Sequence, residues 1–395
     1  MLPYQNAIIL WNKTKICVIL FNYNQEGRIE IIMGQEKTKG YGWFGIAMAY
    51  PGIVVGAGFA SGQELFQFFG AFGGKGILSA VIAGTLFSVL GAMCMLIARN
   101  LGTGDYEKVV SPNSKIVNVF FNLLITFFSF GVMVIMFAGA SSLFASVTGL
   151  NSTIGAIFTV VLVAVIVLMG GEATVKSFAW TIPVMVVIGA IMAIIAFTTG
   201  DGSVADAPIH LDRASTPHWL IAPFVYVSYN MICSVCGLSP IGFEARSRRD
   251  AVIGGIVGGA TIGGLALLIL LGMLKNQAAM LENDMPMYAM AAGMNKYLGW
   301  AYALMLMIAI LTTAIALLFG LVERLAAYDN IPVFKNKKLV VVAISVLGLF
   351  GSFVGFTKLV GTLYPLTGYI GLLLIIALFW NYFRTRNRCA EFRSN

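Results

Sequence analysis

Tyr50-Pro51-Gly52-Ile53-Val54-Val55-Gly56-Ala57-Gly58-Phe59-Ala60-Ser61-Gly62-Gln63-Glu64 lies inside a long apolar stretch near residues 42–70, yet it makes a poor helix. Proline removes one backbone donor, and glycine at 52, 56, 58 and 62 weakens the helical conformation. In lipid the released groups need partners, and non-helical backbone is tolerated only where it is buried in protein or lines a cavity. A break here presents the positive end of a half-helix to an anion such as a carboxylate. It also frees carbonyls that can coordinate a cation. Gly56-x-Gly58 by itself equally fits close helix packing. Proline, clustered glycine and a nearby carboxylate together favour a break.

Working outward, the chain around this stretch is built for a bilayer. Of its 395 residues, 59% are apolar and 11% charged, with a mean hydropathy of +0.88. A soluble globular protein is about 45–50% apolar and about 25% charged. An ordinary soluble enzyme and a disordered chain are therefore excluded. Ten apolar segments fall near 42–70, 76–98, 116–144, 152–170, 174–198, 219–243, 251–274, 297–322, 338–357 and 359–381. Roughly twenty apolar residues cross a hydrocarbon core about 30 Å thick, and a lone span must satisfy its own backbone as helix. The expected fold class is an all-α polytopic membrane protein with ten transmembrane helices.

The formal charge is +8, from 25 Lys and Arg against 17 Asp and Glu. The basic residues cluster in alternate loops: Arg99, Lys108 and Lys115; Arg246, Arg248 and Arg249; Lys335, Lys337 and Lys338. The tail 384–395, with Arg384, Arg386 and Arg388, joins the same side, and Asp201, Asp206 and Asp212 lie in a loop on the other. The positive-inside rule then puts both termini in the cytoplasm of a multi-pass cell-membrane protein. An even number of spans agrees with that placement. The charge is topogenic, so no nucleic-acid partner is expected. Cys233-x-x-Cys236 lies in an apolar span without a second pair, and reads as small packing residues.

Residues 1–40 read as a polar, irregular extension. Two short apolar runs, Ala7–Trp11 and Ile16–Phe21, are split by Asn12-Lys13-Thr14-Lys15, and neither is long enough to span. Met33 is the expected native start, with residues 1–32 an over-extended reading frame; mass spectrometry showing an intact Met1 ends that expectation. Residues 41–383 form a single transmembrane domain, with halves 41–200 and 217–383. The interrupted segment 282–296, with Met285-Pro286-Met287, reads as an external lid or re-entrant helix.

Span six is the second candidate for a break. It runs from Pro223 through Tyr229, Asn230 and Ser234 to Gly237-Leu238-Ser239-Pro240, with polar groups near mid-membrane where unpaired ones are costly. Spans one and six open two five-span halves, and matched breaks point to a transporter site at the midplane. Five is odd, so the halves run inverted. In span eight, Ala309, Thr312 and Thr313 share one helix face. Two hydroxyls with carbonyls released in span one make an all-oxygen cage for a hard monovalent cation, unless the hydroxyls bond back to their own helix. Glu64 is the acid deepest in a span and lies toward its outer end. It reads as a partner for a substrate amine, an outer gate, a proton carrier, or a solvated residue at a vestibule mouth.

The run Val-Gly-Ala-Gly-Phe-Ala-Ser-Gly-Gln-Glu over residues 55–64 resembles the YkvI-like membrane proteins, an uncharacterised bacterial group. That group is similar to the amino acid–polyamine–organocation superfamily, which has the leucine-transporter fold. The resemblance covers about residues 40–383. It implies ten helices in an inverted five-plus-five repeat with helices 1 and 6 broken. It also implies a sodium site of Gly52, Val55 and Ala309 carbonyls with Thr312 and Thr313 hydroxyls. Phe59 stands where the leucine-transporter branch has an asparagine serving a second sodium, and span six lacks that branch's glycine.

The expected function is secondary active transport: sodium-coupled symport of an amino acid or related small amine-containing solute by alternating access. Gly56, Ala57, Gly58, Glu64, Tyr229, Asn230 and Ser234 form the expected substrate site, with the solute carboxylate at the Gly56–Gly58 amides. Proton coupling through Glu64 is the alternative. An ion channel and an intramembrane enzyme are weaker readings, because no filter and no convergent catalytic set appears in the spans. No cofactor beyond the coupling ion is expected, and the sequence leaves the oligomeric state open.

Overall fold

The computed structural model describes residues 7–12, 15–23, 29–34, 40–111, 115–170, 181–277, 281, 283–326, 334 and 336–385. Lys335, Arg386, Arg388 and Cys389 lie outside the described residues. The chain divides into two units, Met1–Tyr41 and Gly42–Asn395.

In the first unit, strands β1 (Ala7–Asn12), β2 (Lys15–Tyr23) and β3 (Ile29–Gly34) form an antiparallel sheet in the order β1-β2-β3. Trp11 pairs with Ile16 and Leu20 with Ile32. The irregular extension expected for 1–40 is thus corrected over these residues. Runs too short to span as helix, and rich in Ile and Val, suit strands.

The second unit is helical among the described residues. Its first apolar stretch comprises α1 (Trp43–Val54), α2 (Ala57–Ser61) and α3 (Gln63–Phe68), followed by a 3₁₀ turn at Gly70–Phe72. After it come α4 (Lys75–Leu101), α5 (Tyr106–Val110), α6 (Lys115–Thr148), α7 (Ser152–Leu168) and α8 (Thr181–Thr199). The rest are α9 (Ala222–Phe243), α10 (Arg248–Lys275), α11 (Pro286–Met294), α12 (Lys296–Ala326), α13 (Lys337–Ser352) and α14 (Phe356–Thr385). Six of these, α4, α6, α9, α10, α12 and α14, are long and apolar enough to cross a membrane; Trp43–Val54, Ser152–Leu168 and Val184–Thr199 are shorter apolar helices.

Glycine sets the packing. A methyl at Gly259 or Gly255 of α10 would overlap the α4 backbone at Ser88 or Ala92, and Gly84 faces Gly263 directly. Gly254 and Gly258, on a neighbouring strip of α10, seat Ile46 and Tyr50 of α1. These contacts gather α1, α4, α9 and α10 on one side, while α6, α7, α12 and α13 pack among themselves on the other. The segment expected as a lid contains α11, whose Met287 packs against Gly62 with a glycine Cβ position 2.9 Å from its Cγ.

The expected break in span six is absent: α9 is helical without interruption from Ala222 to Phe243. There is no glycine before Gly237, and its polar side chains serve the helix itself. Asn230, Ser234 and Ser239 each donate to a carbonyl four residues back, and the Ser228 hydroxyl lies between Val225 O and Gly368 O of α14. Such back-bonding satisfies a mid-membrane hydroxyl without opening the ladder.

Candidate functional site around Glu64

The first apolar stretch breaks where its sequence weakens it. Val55 N donates to Pro51 O at 2.7 Å, and there the ladder stops: the carbonyls of Gly52, Ile53, Val54 and Val55 receive no amide four residues on. Gly56 is extended, at φ −111° and ψ −172°, before α2 begins. A second break follows at Gly62, whose φ of +81° suits glycine. Sequence reading missed that kink, although Ser61-Gly62 is a breaker pair. Side chains take up part of the freed backbone. Ser61 Oγ donates to Gly58 O at 2.7 Å, and Tyr302 Oη of α12 reaches Ala60 O at 2.6 Å.

The two kinks turn Glu64 inward. It was expected toward the outer end of its span, with a solvated vestibule mouth among its readings; the structure corrects this, leaving it 4% exposed. Its two carboxylate oxygens accept from Tyr226 Oη at 3.2 Å and Tyr229 Oη at 3.1 Å, both on α9. A Cβ at Gly58 would stand 2.9 Å from Glu64 Oε2 and 3.3 Å from Tyr364 Oη of α14. The Tyr229 and Tyr364 rings stack, with centroids 4.6 Å apart and planes 11° from parallel. Phe128 of α6 lies against both, and Phe68 against Tyr229 and Tyr226. Among the described residues Glu64 forms no ion pair. The result is a buried acid held by phenols and walled by aromatic rings, a setting that favours a cation or a proton.

Of the expected substrate residues, Gly58, Glu64 and Tyr229 come together. Ala57 is buried beside them on α2, and a Cβ at Gly56 would meet nothing within 4 Å. Asn230 and Ser234 are turned to their own helix by the bonds given above. Tyr226, Tyr364, Phe128 and Phe68 were not anticipated. Tyr226 had a signal, three residues before Tyr229 on the same face; nothing in the sequence joined Tyr364 or Phe128 to them.

In the expected sodium set, Thr312 Oγ1 and Thr313 Oγ1 both donate to Ala309 O, at 2.9 and 2.8 Å. The back-bonding considered for these hydroxyls is therefore what the structure shows. Donation leaves each hydroxyl's lone pairs unspent, whereas the Ala309 carbonyl is occupied by both hydroxyls. Gly52 and Val55 stand at the break. The hydrogen bond from α12 to the first stretch is made by Tyr302 to Ala60, not at these residues.

One turn beyond Glu64, Gln67 Nε2 donates to Thr357 O at 2.9 Å and Gln67 O accepts from Ser215 N at 2.9 Å. Asp284 accepts from Ser142 at 2.6 Å and Thr357 at 2.5 Å. These bonds tie α3, α6 and α14 together beside a serine-lined cavity of about 670 Å³.

The fold is that of the leucine-transporter-like membrane carriers. Mhp1, a nucleobase-cation-symport-1 family transporter solved in its inward-facing conformation, superimposes with a TM-score of 0.62 at 15% identity, covering 86% of this chain and 77% of its own. MhsT in complex with L-phenylalanine gives 0.56 at 13% identity, covering 86% and 98%. In sequence, the resemblance to YkvI-like proteins holds. The chain is 28% identical over 352 residues to the uncharacterised membrane protein YkvI of Bacillus subtilis (strain 168), across 87% of this chain and 96% of that one. No protein-family model matches the chain.

Proposed function

We propose that this chain is a secondary active transporter that carries a small amine-containing solute by alternating access, coupled to sodium. Its spans number ten in an inverted five-plus-five arrangement, with one broken helix rather than two and both termini in the cytoplasm. The observation that carries the reading is Glu64, a buried acid with no basic partner among the described residues, set at a double break in an apolar stretch. A carboxylate kept in an apolar core without a counter-charge is costly unless something cationic arrives.

The solute binds between α2, α3 and α9, with Glu64 and Tyr229 as its polar contacts. Sodium is held by Thr312 and Thr313 hydroxyls with carbonyls of Ala309, Gly52 and Val55, tying the first stretch to α12. Proton coupling is the second reading, favoured by the same unpaired carboxylate; Glu64→Gln separates the two, because uptake that survives without pH dependence marks a proton carrier. The test of carriage is counterflow in sealed proteoliposomes. Saturable, sodium-stimulated exchange is expected, and conductance without saturable flux sinks the proposal.

A further inference from the structure

We infer that the solute held at Glu64 is a cation with no carboxylate of its own, an inference that rests on the transport reading above. An amino acid entering this site would set its carboxylate at the amides of Gly56–Gly58. Glu64 already stands close to that position: a single methyl at Gly58 would lie 2.9 Å from Glu64 Oε2. Two carboxylates about 4 Å apart, at an effective dielectric of about 20, repel strongly enough to weaken binding roughly a thousand-fold.

Among the described residues the donors left for a solute carboxylate, the Tyr364 hydroxyl and the second amide N–H of Asn230, are neutral and supply no counter-charge. Asn230 and Ser234 donate to carbonyls of their own helix, Ser61 to Gly58 O, and the Tyr226 and Tyr229 hydroxyls to Glu64 itself. The only formal charge the described side chains offer a ligand at the site is negative. Glu64 supplies the counter-charge, and the phenol oxygens keep lone pairs for an N–H donor. Phe68, Phe128 and the stacked Tyr229–Tyr364 pair present ring faces, which attract ammonium groups.

The experiment uses matched solutes that differ in the carboxylate: choline against glycine betaine, ethanolamine against glycine, putrescine against ornithine. Purified full chain is scored for thermal stabilisation, and in sealed proteoliposomes for exchange. Expected is an amine that stabilises and exchanges, with its carboxylate-bearing partner at least a hundred-fold weaker, and loss of that binding in Glu64→Gln with part retained in Glu64→Asp. The matched comparison needs no variant, so it stands even where Glu64→Gln misfolds. A carboxylate-bearing partner that binds as tightly as its amine, or amine binding unchanged in folded Glu64→Gln, overturns the cation inference and leaves carriage intact. Exchange of neither class by folded protein overturns both.

Discussion

Gly56 and Gly58 look equivalent in sequence, and the structure makes them opposites. A Cβ at Gly58 would stand 2.9 Å from Glu64 Oε2 and 3.3 Å from Tyr364 Oη, whereas one at Gly56 would meet nothing within 4 Å. Gly58→Ala therefore displaces the carboxylate from the Tyr226 and Tyr229 hydroxyls. Losing one such hydroxyl costs about 1.5–3 kcal/mol, which is roughly a ten- to 150-fold loss of affinity for a cation that needs the acid in place. Stability moves less, because alanine within α2 regains about 1 kcal/mol of helix propensity. Gly56 is extended with a negative φ, so Gly56→Ala is expected to bind as the unaltered chain does. The assay is calorimetric titration of the stabilising amine into each purified variant, beside a thermal melt. Wild-type affinity in Gly58→Ala, or an equal loss in Gly56→Ala, refutes the placement of Glu64 against the break.

Thr312→Ala and Thr313→Val are expected to abolish sodium stimulation of uptake while the protein still inserts; unchanged sodium dependence in proteoliposomes counts against the cage. Tyr302→Phe leaves the carbonyl of Ala60 without the hydroxyl that meets it at 2.6 Å, and is expected to destabilise by about 1–3 kcal/mol. A melt that does not move removes that bond from the account. Gly259→Leu forces a side chain into the α4 backbone, whereas Gly264→Leu enters open space. Size-exclusion profiles are expected to show folded protein for the second alone, and equal yields would mean α4 and α10 do not pack as described.

The membrane fold was legible because its signals are long. Apolar runs of helical length reported the helices, and proline with four glycines in a short stretch reported the break. The site was legible only in part. Glu64 could be flagged as a deep acid, but its inward turn depends on the left-handed Gly62, and one glycine among four carries no such label. Tyr364 reaches the site from α14, and Phe128 reaches Tyr229 and Tyr364 from α6; both are far from Glu64 in sequence, and periodicity along a helix says nothing of which partner it meets. Span six misled because Tyr229, Asn230 and Ser234 suggested an opened backbone. Short polar side chains in a helix can instead bond back to it, and position alone does not distinguish the two outcomes.

The intact α9 changes where motion at the site can occur. Ser228 Oγ donates to Gly368 O of α14 at 2.5 Å, and a Cβ at Gly371 would press on Ser228 O and Ile232. α9 and α14 therefore pack closely at their glycines, and Tyr229 and Tyr364 stack across the same interface. The compliant element is the first stretch, which is interrupted at Val55–Gly56 and again at Gly62. Glu64 sits just after the second interruption, so its carboxylate can part from the tyrosines without disturbing α9. Parting costs two hydrogen bonds to a charged group, each worth about 1.5–3 kcal/mol. A cation leaving the rings together with the carboxylate keeps that charge paired, whereas an empty carboxylate would lose both hydroxyls with nothing in return. On the proposed alternating-access mechanism, the state of the site would bias movement at these two interruptions.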